Sequence, residues 1–229
     1  MSFVSLPRLN DRMGKVTCQI SISLDGYVAG PNQSIDNPIG VGGMRLHEWV
    51  FPTASWRGQH GQEGGGYGAD SEVADEVMKG VGAYIMGRKM FGGGSGPWDQ
   101  AWKGWWGDDP PYHAPVFVLT HHPRQPLSML GGTTFKFVTD GMASALEQAR
   151  VAAGDQDVSI AGGASTVRQC LAAGSLDELY LHIVPVILGA GERLFEDVGD
   201  PVLEPIKVVA SPAVTHIKYR IAKKVSGPS

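Results

Sequence analysis

The 229-residue sequence is poor in cysteine and in charge, and it has no long apolar run. Its two cysteines, Cys18 and Cys170, each sit inside an apolar stretch, so buried thiols are expected rather than a disulfide framework. No stretch approaches the roughly 20 apolar residues of a membrane span. The opening MSFVSLPRLNDRMG lacks a signal-peptide core and reads as a tail, so a cytoplasmic protein is expected. Nineteen basic residues against 23 acidic ones give a net charge of -4 without a basic run, which offers no footing for nucleic acid or an anionic membrane. No Cys/His/carboxylate set has ligand spacing, so no metal is expected. Walker A and H-E-x-x-H motifs are missing, and GGGSGP makes no nucleophile elbow. The first apolar run leads into Asp-Gly-Tyr-Val rather than G-x-G-x-x-G, and GAGERLF lacks the third glycine of that fingerprint.

Glycine is what the chain has in excess, 32 residues clustered at the ends of apolar runs and in segments 58–68 and 92–96. Alternation and β-branched residues predict strands at KVTCQISISL (15–24), AYIMG, PVFVLT (115–120), TFKFVT (134–139), VSIAGG, LDELYLHIVPVIL (176–188) and VTHIKYRIAKK (214–224). Helical periodicity predicts a short helix at 44–51 and one over SEVADEVMKG, capped by Asp70 or Ser71. Further helices are predicted over 142–153, stopped by Gly154, and over 165–173. DGYVAGPNQSID reads as a loop, and the polar segment 52–69 as a lid or an inert insertion. Strands interleaved with helices imply an α/β fold with a largely parallel sheet covered on both faces and an antiparallel end. Residues 15–224 read as one domain between tails 1–14 and 225–229.

In such a sheet, ligands bind beyond the carboxyl ends of the strands. Three loops fall there: Gly87-Arg88-Lys89, the segment Thr120-His121-His122-Pro123-Arg124, and Gly162-Gly163-Ala164-Ser165-Thr166. The third joins a bare backbone to a helix start, whose free N–H groups favour an anion. The other two are cationic. Each loop alone is ordinary turn or surface chemistry; the ordered set outlines a site for a nucleotide with more than one phosphate.

The segments ISLDGYVAG, IMGRKMF, VFVLTHHPR, VSIAGGAST and LYLHIVPVILGAGERLF, in this order, resemble the dihydrofolate reductase-like superfamily. The closer resemblance is to the branch related to the reductase domain of the riboflavin-biosynthesis deaminase/reductase. It implies a central, mostly parallel sheet of about eight strands, an NADPH-dependent reductase and a homodimer. It also implies a site for adenosine 2′-phosphate and ribose near Arg88, Lys89, Thr120, His121, His122 and Arg124. Diphosphate would lie on the amides of Gly163, Ala164, Ser165 and Thr166, with Gly162–Gly163 in a cis peptide, and Gly87 would belong to the same cofactor site. Nicotinamide would reach Ser21, Val28 and Ala29.

On the substrate side, Asp25 is a candidate catalytic acid or else a turn former, and Glu48 a substrate-binding carboxylate or else a surface residue. The tryptophans of GPWDQAWKGWW, Trp98 first, either stack on a planar heterocycle or pack a core or dimer. Gly189 and Gly191 are expected at the substrate mouth. No H-x-E with P-C-x-x-C zinc signature is present, so the deaminase half has no counterpart here. The expected activity is hydride transfer to a C=N or C=C bond of a pterin- or pyrimidine-like heterocycle. The alternative is a nucleotide- or flavin-binding protein without turnover.

Overall fold

The computed structural model describes residues 14–222. The expected tails therefore lie outside the described residues, apart from Gly14, as do residues 223 and 224. The described chain runs β1 (Val16–Ser23), β2 (Tyr27–Ala29), a 3-10 helix (Gly43–His47), α1 (Ala54–Gln59), α2 (Ala69–Glu76), β3 (Val81–Gly87) and α3 (Arg88–Phe91). It continues with β4 (Pro115–Leu119), β5 (Leu127–Ser128), a 3-10 turn (Leu130–Gly132), β6 (Thr134–Val138), α4 (Met142–Ala153) and β7 (Asp157–Gly162). The last elements are α5 (Ala164–Ala172), β8 (Glu178–Val184), β9 (Glu192–Arg193), β10 (Val202–Ala210) and β11 (Thr215–Ala222).

Nine strands form one sheet in the order β10-β11-β8-β1-β7-β3-β4-β6-β5. The strands from β8 to β6 run parallel, while β11 is antiparallel to both β8 and β10, and β5 to β6. On one face lies α4, whose Ala145, Ala149 and Ala153 are buried and recur every four residues, so one small-residue stripe brings the helix against β3 and β4. Cys18 and Cys170 are buried free thiols in this layer. A second cluster of aromatics, including Phe91, Trp98 and Phe135, packs on the other face.

Several expectations shift for physical reasons. The predicted strand 176–188 ends at Val184 because Pro185 has no amide for the ladder. The segment read as a loop contains β2, which pairs with β9 in a small separate sheet. Neither Asp70 nor Ser71 caps α2; the helix starts at Ala69 after Gly68 with no side-chain cap, and both residues bond elsewhere. Part of 52–69 forms α1, which packs against α2. Among the described residues, no helix is long and apolar enough to cross a membrane.

Candidate active site

Strands β3 and β7 are neighbours, yet the segments that follow them diverge: β3 leads toward β4, β7 through α5 toward β8. Such a switch point leaves a crevice beyond the strand ends. Gly87 closes β3 there and Gly162–Gly163, joined by a cis peptide, closes β7. The two turns touch: a Cβ on Gly87 would stand 2.6 Å from the Thr166 hydroxyl, which only glycine avoids. A Cβ on Gly163 would meet nothing within 4 Å, so its surroundings are open. Helix α5 begins immediately after it without a side-chain cap. The Thr166 amide donates to the Gly163 carbonyl at 3.0 Å. Ala164 and Ser165, at the first two positions of α5, have no carbonyl of their own helix to bond and keep donors for an anion.

Beside this turn stand two arginines sharing one indole. The Arg88 guanidinium carbon lies 3.2 Å from the centre of the Trp98 ring and that of Arg124 lies 5.2 Å from it. Arg88 donates to the Thr120 hydroxyl at 3.3 Å and to the Gly96 carbonyl at 3.1 Å. Arg124 donates to the carbonyls of Gln100 and Trp102 at 3.0 and 2.6 Å. Burial, and the charge of Arg124 for Arg88, hold the Arg88 pKa below its ordinary value; burial lowers that of Arg124 as well. Buried nitrogens remain without a partner on both: Nε of Arg88, and Nε and Nη1 of Arg124. Two cations brought together with spare donors suit an oxyanion, although the Asp99 carboxylate already acts on Arg124. Thr120 is buried and also accepts from the His122 amide at 3.1 Å, His122 is half-buried, and His121 and Lys89 are exposed.

Ser21, Val28 and Ala29 are buried, and Ser21 Oγ accepts from Trp49 Nε1 at 3.0 Å. A cleft of about 630 Å³ opens at Arg88 and Lys89, the residues that follow Gly87. One wall is the loop from Gly30 to Pro38, the other is the glycine strap Gly92–Gly94 with Trp105, and Arg88, Lys89, Gly191 and Glu192 close its base. Lys89 pairs with Glu192 at 2.9 Å.

Of the predicted site residues, Arg88, Lys89 and Gly191 line this cleft; Ser21, Val28, Ala29, Gly87, the Thr120–Arg124 loop and the Gly162–Thr166 turn do not, and neither do Asp25, Glu48, Trp98 and Gly189. Asp25 accepts from the Ser23 hydroxyl at 2.6 Å and from the amides of Leu188 and Gly189 at 3.1 and 2.7 Å. The Ser23 bond first, then those amides, pull its pKa down to about 2. Glu48 is exposed beyond the 3-10 helix. Trp98 is buried, its Nε1 donating to the His122 carbonyl at 2.7 Å. Gly189 is exposed and bonded to Asp25. No residue of 52–69 lines the cleft. Sequence reasoning missed Glu192 and loop 30–38, and within the tryptophan run it put Trp98 first where Trp105 is the one that lines the cleft. The signal that could have singled out Trp105 was the glycine cluster 92–96 lying so close to the run of tryptophans. Among the described residues, no group of three or more His, Cys, Asp or Glu gathers to hold a metal.

Solved structures share this fold. A protein from Shewanella named for a presumed role in riboflavin biosynthesis is 20% identical, with a TM-score of 0.60 over 91% of this chain and 99% of that one. A pyrimidine reductase-like protein from Corynebacterium diphtheriae is 15% identical, with a TM-score of 0.54 over 96% of each chain. Dihydrofolate reductase from Enterococcus faecalis, in complex with NADP(H), is 14% identical, with a TM-score of 0.53 over 92% of this chain and 98% of that one. No curated protein matches in sequence. The profile of the RibD C-terminal domain matches residues 14–217, most of the chain, and the chain belongs to the RibD C-terminal domain family.

Proposed function

We propose that this protein is an NADPH-dependent reductase acting on a planar, pyrimidine- or pterin-like heterocycle, and that it works as a homodimer. The observation that carries the reading is the Arg88–Trp98–Arg124 stack beside the Gly162–Gly163 turn, with its unpartnered buried nitrogens. The spare donors fit a 2′-phosphate, and the free amides at the start of α5 fit a diphosphate. Thr120, His122 and Lys89 flank the first position; Ser21, Val28 and Ala29 frame the corner assigned to nicotinamide. When bound, the cofactor supplies a hydride. The chain's own residues fix the acceptor beside it and exclude water from the buried corner at Ser21. Relatives that bind NADP(H) or are named for pyrimidine reduction support the reading.

Trp98 is assigned to support Arg88 rather than to touch substrate. Asp25, ionised and fully engaged, is assigned to hold the β8–β9 connection rather than to donate a proton. With Asp25 latched and Glu48 facing solvent, a nucleotide- or flavin-binding protein without turnover is the second reading.

Calorimetric titration with NADPH and NADH, followed by NADPH oxidation against pterins, pyrimidines and flavins, tests both readings. Arg88→Ala should weaken NADPH roughly ten- to hundredfold, the worth of one charge-assisted bond, while leaving NADH almost unchanged. Gly163→Val should fold and lose both nucleotides. Equal affinity of the parent protein for NADPH and NADH removes the 2′-phosphate assignment. Tight NADPH binding without oxidation across the panel favours the second reading.

A further inference from the structure

The outer half of the cleft differs in chemistry from its base. Its facing walls are Pro31 and Ile35 on one side and the glycine strap with Trp105 on the other, and its polar groups are the neutral side chains of Asn32, Gln33 and Ser34. The charged residues of the lining are Arg88, Lys89 and Glu192. Lys89 is paired with Glu192, and Arg88 is held by Trp98, Thr120 and Gly96.

The strap is built around the tryptophans. A Cβ on Gly92 would stand 2.5 Å from the Trp105 ring, and one on Gly93 would stand 2.8 Å from the Trp102 ring. At φ +84° and +81°, both glycines also hold backbone conformations that side chains resist. Backbone thus backs the Trp105 indole directly. Trp102 meets it edge-on at 4.6 Å and 80°, and is itself anchored by a 3.1 Å bond from its Nε1 to the Phe91 carbonyl. The result is a fixed aromatic surface lining an apolar slot, the arrangement that receives a flat ring.

We propose that this slot takes an uncharged planar heterocycle that carries no phosphate, stacked on Trp105, and that Trp105 is the specificity-determining residue. The proposal rests on the reductase reading, because the cofactor is taken to occupy Arg88 and the α5 amides. A phosphate carried by the substrate would then face Glu192, and would have to take Lys89 away from it.

Riboflavin and FMN serve as probes that share one flat ring system and differ by a single phosphate. The protein is first saturated with NADP+ by calorimetry, and each flavin is then titrated into the loaded protein. Riboflavin should bind at least about tenfold more tightly than FMN. Trp105→Ala should weaken riboflavin about tenfold or more, as loss of ring stacking does, and Trp105→Phe should hold it within about threefold, with NADP+ affinity unchanged in both. Melting curves identify a misfolded alanine variant, in which case the phenylalanine variant and the riboflavin–FMN ratio decide. FMN binding as tightly as riboflavin, no riboflavin binding, or a folded alanine variant with intact riboflavin affinity overturns the proposal and leaves the cofactor reading standing. Failure of NADP+ to bind, seen before any flavin is added, overturns the cofactor reading and this proposal with it.

Discussion

At Asp25 three donors converge on one carboxylate, and that geometry decides what the residue does. A group pulled down to about 2 is ionised throughout the neutral range and has no proton to give. Its folded-state pKa lies below the ordinary carboxylate value near 4, so its stabilisation is present above that value and is lost as pH falls toward about 2. Asp25→Asn should therefore lower the melting temperature at neutral pH, and the gap from the parent should narrow by about pH 3. Its turnover should stay within about fivefold, whereas loss of a general acid costs about a hundredfold or more; steady-state kinetics beside melting curves separate the two. The sequence presents Asp25 as Asp-Gly in a loop, equally suited to an acid or a turn. What resolves it is the return of the chain 163 residues later with the Leu188 and Gly189 amides, a contact no local pattern contains. Trp98 is similar: its neighbours in sequence announce aromatic packing, but only the fold shows two guanidinium groups over its ring.

Helix α2 and strands β1, β8 and β11 bury a polar chain that is visible only once the elements are assembled. His182 and His216, both fully buried, meet Nδ1 to Nδ1 at 2.8 Å. His182 Nε2 faces the Gln19 amide at 3.0 Å, His216 Nε2 faces the Asp70 carboxylate at 3.1 Å, and Trp49 packs over both rings. A carboxylate only accepts, so His216 Nε2 carries a proton and one more lies between the two Nδ1 atoms. With the Gln19 oxygen toward His182, a third proton is needed and the pair is cationic. With the Gln19 NH2 group there, both rings are neutral. Burial first, then the neighbouring His216 and His47, pushes the His182 pKa well down; burial also lowers that of His216, against the opposing effect of Asp70 and with that of Lys207. Both folded values lie below the ordinary 6.5, so the unfolded chain takes up more protons as pH falls through that region, and the folded state loses stability. The loss should reach up to about 1.4 kcal/mol per pH unit per histidine below about pH 6.5. Denaturant titrations between pH 8 and 5 should show this slope in the parent protein and a flatter one in His182→Asn, even though that variant is weaker at pH 8. A variant as steep as the parent would remove the pair as its source. Alternation along each strand marks these histidines as inward-facing, yet a buried polar chain depends on register between β8 and β11, which the sequence does not display.

Across the whole molecule, the legible part was the order of elements, because most interior strands and helices α4 and α5 carry their own period and their own glycine stops. The strand-end loops were legible for the same reason: three predicted β-runs ended in glycine or in cations, and parallel pairing brings such ends together. What stayed hidden were pieces with little local signal. The two residues of β9 pair only with β2, and β10 is interrupted by Pro205 and a bulge against β11. That last strand bears on assembly. β10 is an outer edge of the nine-stranded sheet and exposes Val202, Ile206 and Val208. An exposed apolar edge invites pairing with another chain. The expected homodimer is therefore assigned to this edge, a second copy pairing through a two-fold axis so that one patch serves both partners. Lys207 is tied to Glu76 of its own chain, leaving the apolar residues to face the partner. Val208→Asp would place a charge on that patch without touching the cleft and should turn a dimer into a monomer in light scattering behind gel filtration, with NADPH affinity retained. Ile187→Asp, at an equally exposed apolar site away from β10, should leave the dimer intact. A parent protein that elutes as a monomer at micromolar concentration, or a Val208→Asp variant that stays dimeric, removes β10 as the interface.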